Sequence, residues 1–235
     1  MMFRENRTFK NSRGLKLSAI YEGTDKNAPV IIICHGYGSS KDSESNIHLA
    51  QELIKKGLSV YSFDFTGSGQ SQGTLDQCTP LQGLDDLKSA VKDLGKAKFA
   101  LQGTSFGGYV ALMYAAQNPV LALGLKAPVS DYLSVEGKKA KDNLRFTDKK
   151  KDSFIKELKD INIYQLAKKI TAPTLIVHGS ADEIVPFSQS EKLLKFLTGE
   201  KRLSVLHNAI HRMRGADMEQ AHNLLSNFFK QTLIH

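Results

Sequence analysis

The chain has 235 residues, of which 41% are hydrophobic and 24% are charged, and its formal net charge is +8. This composition is typical of a folded globular protein with room for one sizeable α/β domain. It excludes a bilayer-spanning helix, because no apolar run approaches the ~20 residues that such a helix needs.

The chain start and the cysteines bear on location. The first residues, MMFRENRTFK, lack the apolar core of a secretory signal, so we expect a cytoplasmic protein without stable membrane insertion. Of the two cysteines, Cys34 ends an apolar run and is predicted to be a buried small hydrophobe rather than half of a disulfide.

Positive charge is concentrated between Gly137 and Ile170, which holds eleven lysines and arginines against five acids. Such a run is most often a solvated face. The alternatives are attraction to an anionic substrate or loose contact with a membrane or nucleic acid. Nucleic acid is the least favoured partner, because the segment contains no recognisable binding motif.

The first part of the chain alternates predicted strands and helices. Asn11-Ser12-Arg13-Gly14 separates two short strands and predicts a hairpin. The continuous apolar run Val30–Cys34 is typical of a central parallel strand. Further elements are predicted at Ser45–Lys56 (helix, with Ile47 and Leu53 on its apolar side), Leu58–Phe63 (strand) and Pro80–Leu94 (helix, with Leu81 and Leu84 on its apolar side).

A glycine-rich loop, Asp64–Ser71, follows the Leu58–Phe63 strand. It contains Gly67-Ser68-Gly69, but the third glycine of a dinucleotide fingerprint is displaced to Gly73. We therefore interpret it as a tight structural loop.

The stretch FALQGTSFGGYVALMYAAQ, Phe99–Gln117, carries the strongest chemical signal. It predicts a buried strand, then Gly103-Thr104-Ser105-Phe106-Gly107, then a buried helix. A chain that passes from strand to helix without a loop must turn sharply, and side-chain-free neighbours leave room for a strained serine. The turn also sets the hydroxyl at a helix N-terminus, where developing negative charge is stabilised. This pattern favours a nucleophilic serine at position 105 over an ordinary serine in a glycine-rich turn.

The second part of the chain continues the alternation after an interruption. Residues Tyr132–Asp160 are predicted to form a small, mostly helical insertion, because Leu144, Phe146 and Phe154 are too apolar for a disordered tether. The other predicted elements are strands at Leu121–Lys126, Thr174–His178 and Lys201–Leu206, and helices at Ile163–Lys169, Ser188–Phe196 and Ala216–Thr232. Strands alternating with helices predict a mostly parallel sheet with helices on both faces.

In such sheets, chemistry collects at the carboxyl ends of the strands. Ser105, Asp182 and His211 each follow a predicted strand, in the chain order of a nucleophile, an acid and a base. Two competitors exist. Asp131 also follows a strand, but Asp182 has the shorter and stiffer loop, and His207 abuts its strand, whereas His211 is far enough along to fold back towards the serine.

The order of motifs resembles the α/β-hydrolase superfamily, and within it the serine aminopeptidase-like carboxylesterases that include feruloyl and cinnamoyl esterases. The resemblance rests on five stretches and covers nearly the whole chain except Tyr132–Asp160. They are HGYG at His35–Gly38, FDFTGSGQSQG at Phe63–Gly73, GTSFGG at Gly103–Gly108, LIVHGSADEIVP at Leu175–Pro186 and NAIH at Asn208–His211.

The resemblance implies a single α/β-hydrolase domain over residues 1–235, with a short cap at about 132–160. It implies a catalytic triad of Ser105, Asp182 and His211, with the backbone N–H groups of Tyr37 and Phe106 as oxyanion-hole donors. The expected activity is hydrolysis of carboxylic esters or thioesters through an acyl-enzyme, on a small and possibly anionic substrate, without metal or organic cofactor. The alternatives are an acyltransferase or peptidase on the same scaffold, or a ligand-binding or sensor protein with little turnover. The oligomeric state is left open.

Overall fold

The computed structural model describes residues 2–136 and 146–234. Within these ranges, eight strands form one sheet in the order β1-β2-β4-β3-β5-β6-β7-β8. The first two strands form the predicted antiparallel hairpin, β2 also runs antiparallel to β4, and the remaining neighbours are parallel. The strands are β1 (Phe3–Lys10), β2 (Lys16–Gly23), β3 (Val30–Cys34), β4 (Ser59–Phe63), β5 (Phe99–Thr104), β6 (Leu123–Lys126), β7 (Thr174–Gly179) and β8 (Lys201–Leu206).

Helices cover both faces of this sheet, as the sequence predicted. They are α1 (Glu44–Lys55), α2 (Pro80–Leu94), α3 (Phe106–Ala115), α4 (Asp148–Glu157), α5 (Ile163–Ala167), α6 (Ser188–Phe196) and α7 (Gly215–Leu233). Two hydrophobic clusters result, one beneath α2, α3, α5 and α6 and the other beneath α1 and α7. The mostly parallel α/β architecture is thereby confirmed.

Strand β3 illustrates why the central strands are continuously apolar. All five of its residues are buried, and neighbouring side chains alternate between the two clusters, with Ile32 in one and Ile31 and Ile33 in the other. Cys34 ends this strand as a fully buried free thiol, as predicted. Because β3, β5, β7 and β8 run in the same direction, the loops that follow them meet at one edge of the sheet.

Two predicted core positions are wrong. The sequence pattern predicts Ile47 and Leu81 on the apolar sides of their helices, but they are 43% and 42% exposed. Each lies in a first helical turn, where a neighbouring polar side chain is buried instead. Asn46 donates to the Ser40 carbonyl oxygen at 2.7 Å, and Gln82 donates to Asp86 at 2.9 Å, so hydrogen bonding fixes how these turns face the core.

The glycine-rich loop after β4 wraps around a buried carboxylate. Asp64 is fully buried and accepts hydrogen bonds from the backbone N–H groups of Lys41 at 2.6 Å and Gln70 at 2.9 Å. A Cβ at Gly69, where φ is +51°, would lie 2.3 Å from an oxygen of Asp64. The loop is therefore tight because its own carboxylate fills its interior.

The predicted insertion is described only in part. Tyr132–Ser134 form a single 3-10 turn, and α4 carries Phe154, which is completely buried. Leu144 and the lysines at 138, 139 and 141 lie outside the described residues. In the ranges that the structure does describe, none of the helices is long and apolar enough to cross a membrane.

Candidate active site

Ser105 occupies the junction between β5 and α3. Its φ is +53°, a conformation that L-residues other than glycine rarely adopt. The flanking glycines make this turn possible. A Cβ at Gly103 would lie 2.6 Å from the Gly107 carbonyl oxygen, and a Cβ at Gly107 would lie 2.1 Å from the Cys34 carbonyl oxygen. The sharp strand-to-helix turn predicted from the glycine spacing is therefore present.

The loop after β3 passes directly beside this serine. A Cβ at Gly36 would lie 3.7 Å from Cβ of Ser105, so the next residue, Tyr37, is held close to the elbow. Phe106 begins α3, and the N–H groups of a first helical turn have no partner within their own helix. Both residues named as oxyanion donors line the same cavity as Ser105.

His211 and Asp182 complete a hydrogen-bonded relay with Ser105. Nε2 of His211 lies 3.0 Å from Oγ of Ser105, and Nδ1 of His211 lies 2.7 Å from Oδ2 of Asp182. An ionised carboxylate can only accept, so Nδ1 carries the proton and Nε2 is left to accept one from the serine hydroxyl. The structure thus brings together the three residues that the sequence singled out from separate loops.

The Asp182 carboxylate is fully buried and held by four groups. Its second oxygen accepts the backbone N–H groups of Ile184 at 2.9 Å and Val185 at 2.8 Å. Burial by itself would raise the pKa of Asp182, but the hydrogen bonds from His178, His211 and Val185 outweigh it and hold that pKa below its usual range. The carboxylate is therefore ionised at neutral pH and fixed in orientation.

His178 is a contributor that the sequence analysis missed. Its Nε2 lies 3.0 Å from Oδ2 of Asp182 and 3.0 Å from the Val185 carbonyl oxygen, while its Nδ1 lies 2.6 Å from Oγ of Ser190. Both neighbours of Nε2 are acceptors, so Nε2 carries the proton and a neutral ring accepts at Nδ1 from the serine. In the sequence His178 is the last residue of the predicted strand Thr174–His178, and this place at the carboxyl end of a strand is a usable signal for a site residue.

The two competitors lie elsewhere. Asp131 accepts the Leu133 backbone N–H at 2.9 Å and caps the 3-10 turn of Tyr132–Ser134. His207 is exposed on the surface, whereas the His211 side chain is 11% exposed. The geometry therefore favours Asp182 over Asp131 as the acid, and His211 over His207 as the base.

A cavity of about 1060 Å³ opens above Ser105 and His211. Part of its wall is aromatic, because Phe154 of α4 stacks edge-on against Tyr37 with ring centroids 5.7 Å apart and against Tyr132 at 5.2 Å. In the described ranges, no group of three or more His, Cys, Asp or Glu side chains is arranged to hold a metal ion. The cavity can accept an apolar group beside a serine hydroxyl, an imidazole and helix-terminal N–H groups.

Family models match two adjoining parts of the chain. Residues 29–127 match the family described as alpha/beta hydrolase fold, and residues 122–216 match the family described as serine aminopeptidase, S33. Among curated proteins, the chain is 27% identical over 198 residues to the uncharacterized protein YfhR of Escherichia coli O157:H7, across 80% of this chain and 65% of that protein. It is 24% identical to the mitochondrial palmitoyl-protein thioesterase ABHD10 of Bos taurus, across 83% and 70%. The chain thus spans 60–65% of the length of the YfhR relatives.

Solved structures share the fold at low sequence identity. Est1E from Butyrivibrio proteoclasticus with bound ferulic acid matches with a TM-score of 0.83 and 20% identity, across 97% of this chain and 100% of that one. Mouse alpha/beta hydrolase domain-containing protein 10 matches with a TM-score of 0.81 and 22% identity, across 97% and 99%. With the family matches and the eight-stranded sheet, these findings identify the chain as a member of the α/β-hydrolase superfamily.

Proposed function

We propose that the chain is a serine hydrolase that cleaves carboxylic esters or thioesters through an acyl-enzyme. The observation that carries this proposal is the relay from Ser105 Oγ to His211 Nε2, 3.0 Å, and from His211 Nδ1 to Asp182 Oδ2, 2.7 Å. A serine hydroxyl becomes a good nucleophile when an imidazole takes its proton and a carboxylate stabilises the resulting imidazolium.

The reaction begins when Oγ of Ser105 attacks the carbonyl carbon and its proton passes to Nε2 of His211. The backbone N–H groups of Phe106 and Tyr37 stabilise the oxyanion of the tetrahedral intermediate. The carbon–oxygen or carbon–sulfur bond then breaks, and the leaving alcohol or thiol takes the proton from His211. Water repeats the sequence on the acyl-enzyme, which releases the acid and restores the serine. No step requires a metal or organic cofactor.

The substrate class is supported by the names of similar proteins and by the cavity. Esterase and thioesterase appear among the relatives and structural neighbours, including Est1E, ABHD10 and the Pyrococcus furiosus esterase Pf2001. The aromatic wall formed by Phe154, Tyr37 and Tyr132 suits an apolar acyl or leaving group. A small-molecule ester or thioester is therefore the proposed substrate.

The segment at about 132–160 is proposed to be a cap on a single domain. Phe154 of α4 packs on Tyr37 beside the elbow, which supports a covering role.

The lysines of this segment would attract anionic esters. In that case kcat/KM for an anionic ester should fall as salt rises from about 50 to 500 mM, with little change for a neutral ester. An equal salt response of the two esters would mean that the lysines form a solvated surface and do not attract substrate. The cytoplasmic location stays a prediction.

A panel of p-nitrophenyl esters and acyl thioesters of increasing acyl length tests the proposed function. We expect turnover by the wild type and its loss in Ser105→Ala. Transfer of the acyl group to an added alcohol or amine in preference to water would favour an acyltransferase, and cleavage of amides alone would favour a peptidase. Saturable binding of these compounds without turnover would contradict hydrolysis and favour a binding or sensor protein.

A further inference from the structure

Lys126 is a buried cation immediately beside the elbow. It ends β6 in register with Thr104 of β5, and its carbonyl oxygen accepts the Ser105 backbone N–H at 3.0 Å. Its side chain runs between α1 and α7, where Nζ lies 2.8 Å from Oγ of Ser45 and 3.0 Å from Nε2 of His222. The residue is only 6% exposed.

This cation has no internal counterion in the part of the chain that the structure describes, because no carboxylate there lies within 4.0 Å of Nζ. Burial lowers the pKa of Lys126 to about 8, so the amine still carries its charge at neutral pH. Burial, together with the nearby Lys126 charge and His48, keeps the pKa of His222 far below its usual range, so that ring is neutral. An isolated buried charge is unfavourable unless something pairs with it.

The hydrogen bonds around Lys126 leave donors unused. The ammonium donates to Ser45 and to Nε2 of His222, so His222 holds its proton at Nδ1, which lies 2.9 Å from Nδ1 of His48. A third ammonium N–H then remains available. The Ser45 hydroxyl hydrogen can only compete with Lys126 for Nε2 of His222, which lies 3.3 Å from its Oγ. Oγ of Ser43 is also buried and has no hydrogen-bond partner among the described residues. The cluster therefore offers donors and lacks an acceptor.

Lys126, Ser45 and Ser43 line the same cavity as Ser105 and His211. Arg212 and Arg214, both exposed, add positive charge at the rim of the cavity, and Glu44, also exposed, is the acid that lines it. An anion entering this part of the cavity would meet the buried Lys126 ammonium, two half-buried serines and the two exposed arginines. A carboxylate suits the arrangement, because its two oxygens can accept from the ammonium and from the serine hydroxyls together.

We propose that Lys126, Ser45 and Ser43, here called the Lys126 subsite, bind a carboxylate of the substrate beside the reacting carbonyl. The preferred substrates would be esters or thioesters that carry a free carboxylate. The claim that the bound carboxylate belongs to a substrate rests on the proposed hydrolase function. The claim that the subsite binds a carboxylate does not. Two kinds of substrate place a carboxylate there: one carries it on the acyl chain, as in a monoester of a dicarboxylic acid, and the other on the leaving group, as in an ester of a hydroxy acid.

Calorimetric titration of Ser105→Ala protein with glutarate tests the subsite without turnover. We expect saturable binding that weakens tenfold to about a hundredfold when Lys126→Met is added, as loss of a charge-assisted hydrogen bond predicts. Lys88→Met, on the exposed side of α2, is the matched control and should change nothing. Absence of glutarate binding, or equal binding with and without Lys126, would overturn the subsite.

Kinetics of the wild type provide a test that needs no variant. In the acyl series, the methyl monoesters of glutarate and adipate are compared with the same esters in which the free carboxylate is replaced by an amide. In the leaving-group series, acetyl esters of hydroxy acids are compared with acetyl esters of the corresponding hydroxy amides. We expect kcat/KM for the carboxylate compound to exceed that of its amide at least tenfold in one of the two series, which identifies the acyl or leaving-group side. Turnover of amides and acids at equal rates would refute the subsite and leave the hydrolase intact. Glutarate binding without turnover of any ester would support the subsite and refute the hydrolase function.

Discussion

Nε2 of His178 lies 3.0 Å from Oδ2 of Asp182, the carboxylate oxygen that also faces Nδ1 of His211. His178 is fully buried and is itself held by Ser190, so it adds a second fixed contact to the carboxylate oxygen that faces His211. Asp182 consequently has little freedom to rotate away from His211. A group that must hold one imidazole tautomer benefits from such a rigid mount.

Replacing His178 should therefore disturb activity through Asp182. We expect His178→Leu, which cannot donate, to lower kcat/KM by up to about a hundredfold, as small misplacements at an active site do. The hydrogen bond from His178 also helps to keep the pKa of Asp182 low, so its loss should raise that pKa.

The matched variant is His178→Gln, whose amide can still donate towards Asp182. It should recover part of kcat/KM at a thermal stability similar to that of His178→Leu. If both variants lose activity only in proportion to their loss of folded protein, His178 has a packing role alone.

The choice between Asp182 and Asp131 leads to a second prediction. Asp182→Asn should lower kcat by roughly 10³ to 10⁴, because the amide would favour the wrong imidazole tautomer. Asp131→Asn should lower it by less than about tenfold, since Asp131 caps the turn at Tyr132–Ser134. Steady-state kinetics on the two purified variants measure the difference. Comparable losses from both would give Asp131 a part in substrate binding or catalysis.

His207 and His211 form the corresponding pair for the base. His211→Ala should abolish measurable ester turnover, because its Nε2 is the group that faces Ser105. His207→Ala should remain close to wild type, since that side chain is exposed. Circular dichroism of both variants provides the folding control. Loss of turnover in His207→Ala with activity retained in His211→Ala would reverse the assignment.

Much of this site could be predicted from the sequence, because its parts depend on local constraints. The glycines around Ser105 are required by close backbone contacts, and strands β7 and β8 deliver Asp182 and His211 to the same sheet edge. The sequence does not predict the roles of Lys126 and His178, because each looks like an ordinary polar residue at the end of an apolar strand. Their burial depends on residues far along the chain, since His222 reaches Lys126 from α7 and Ser190 reaches His178 from α6.

Lys126 should also reduce the stability of the fold. Its pKa is lowered to about 8 from an ordinary value of 10.5, so the unfolded chain binds the proton more tightly than the folded one. The penalty is therefore present below pH 8 and fades as pH rises from 8 to 10.5. We expect Lys126→Met to be more stable than the wild type at pH 7 by roughly 1 to 3 kcal/mol.

Urea unfolding at several pH values measures this effect. The advantage of Lys126→Met should shrink on approaching pH 10.5, where the amine of the folded wild type is already neutral. Lys88→Met, at an exposed position, should show no such trend. A variant that is less stable than the wild type at neutral pH, with a difference that does not depend on pH, would mean that Lys126 stabilises the fold.

The proposed role of Ser105 as the nucleophile is tested most directly by covalent labelling with a fluorophosphonate probe, read out by intact-protein mass spectrometry. The wild type should gain one adduct, located at Ser105 by peptide mapping, because this hydroxyl faces His211 in a strained turn with helix-terminal N–H groups beside it. Ser105→Ala should stay unlabelled while its circular dichroism spectrum matches that of the wild type. Labelling that persists in folded Ser105→Ala, or a wild type that does not react at all, would contradict the proposed hydrolase mechanism.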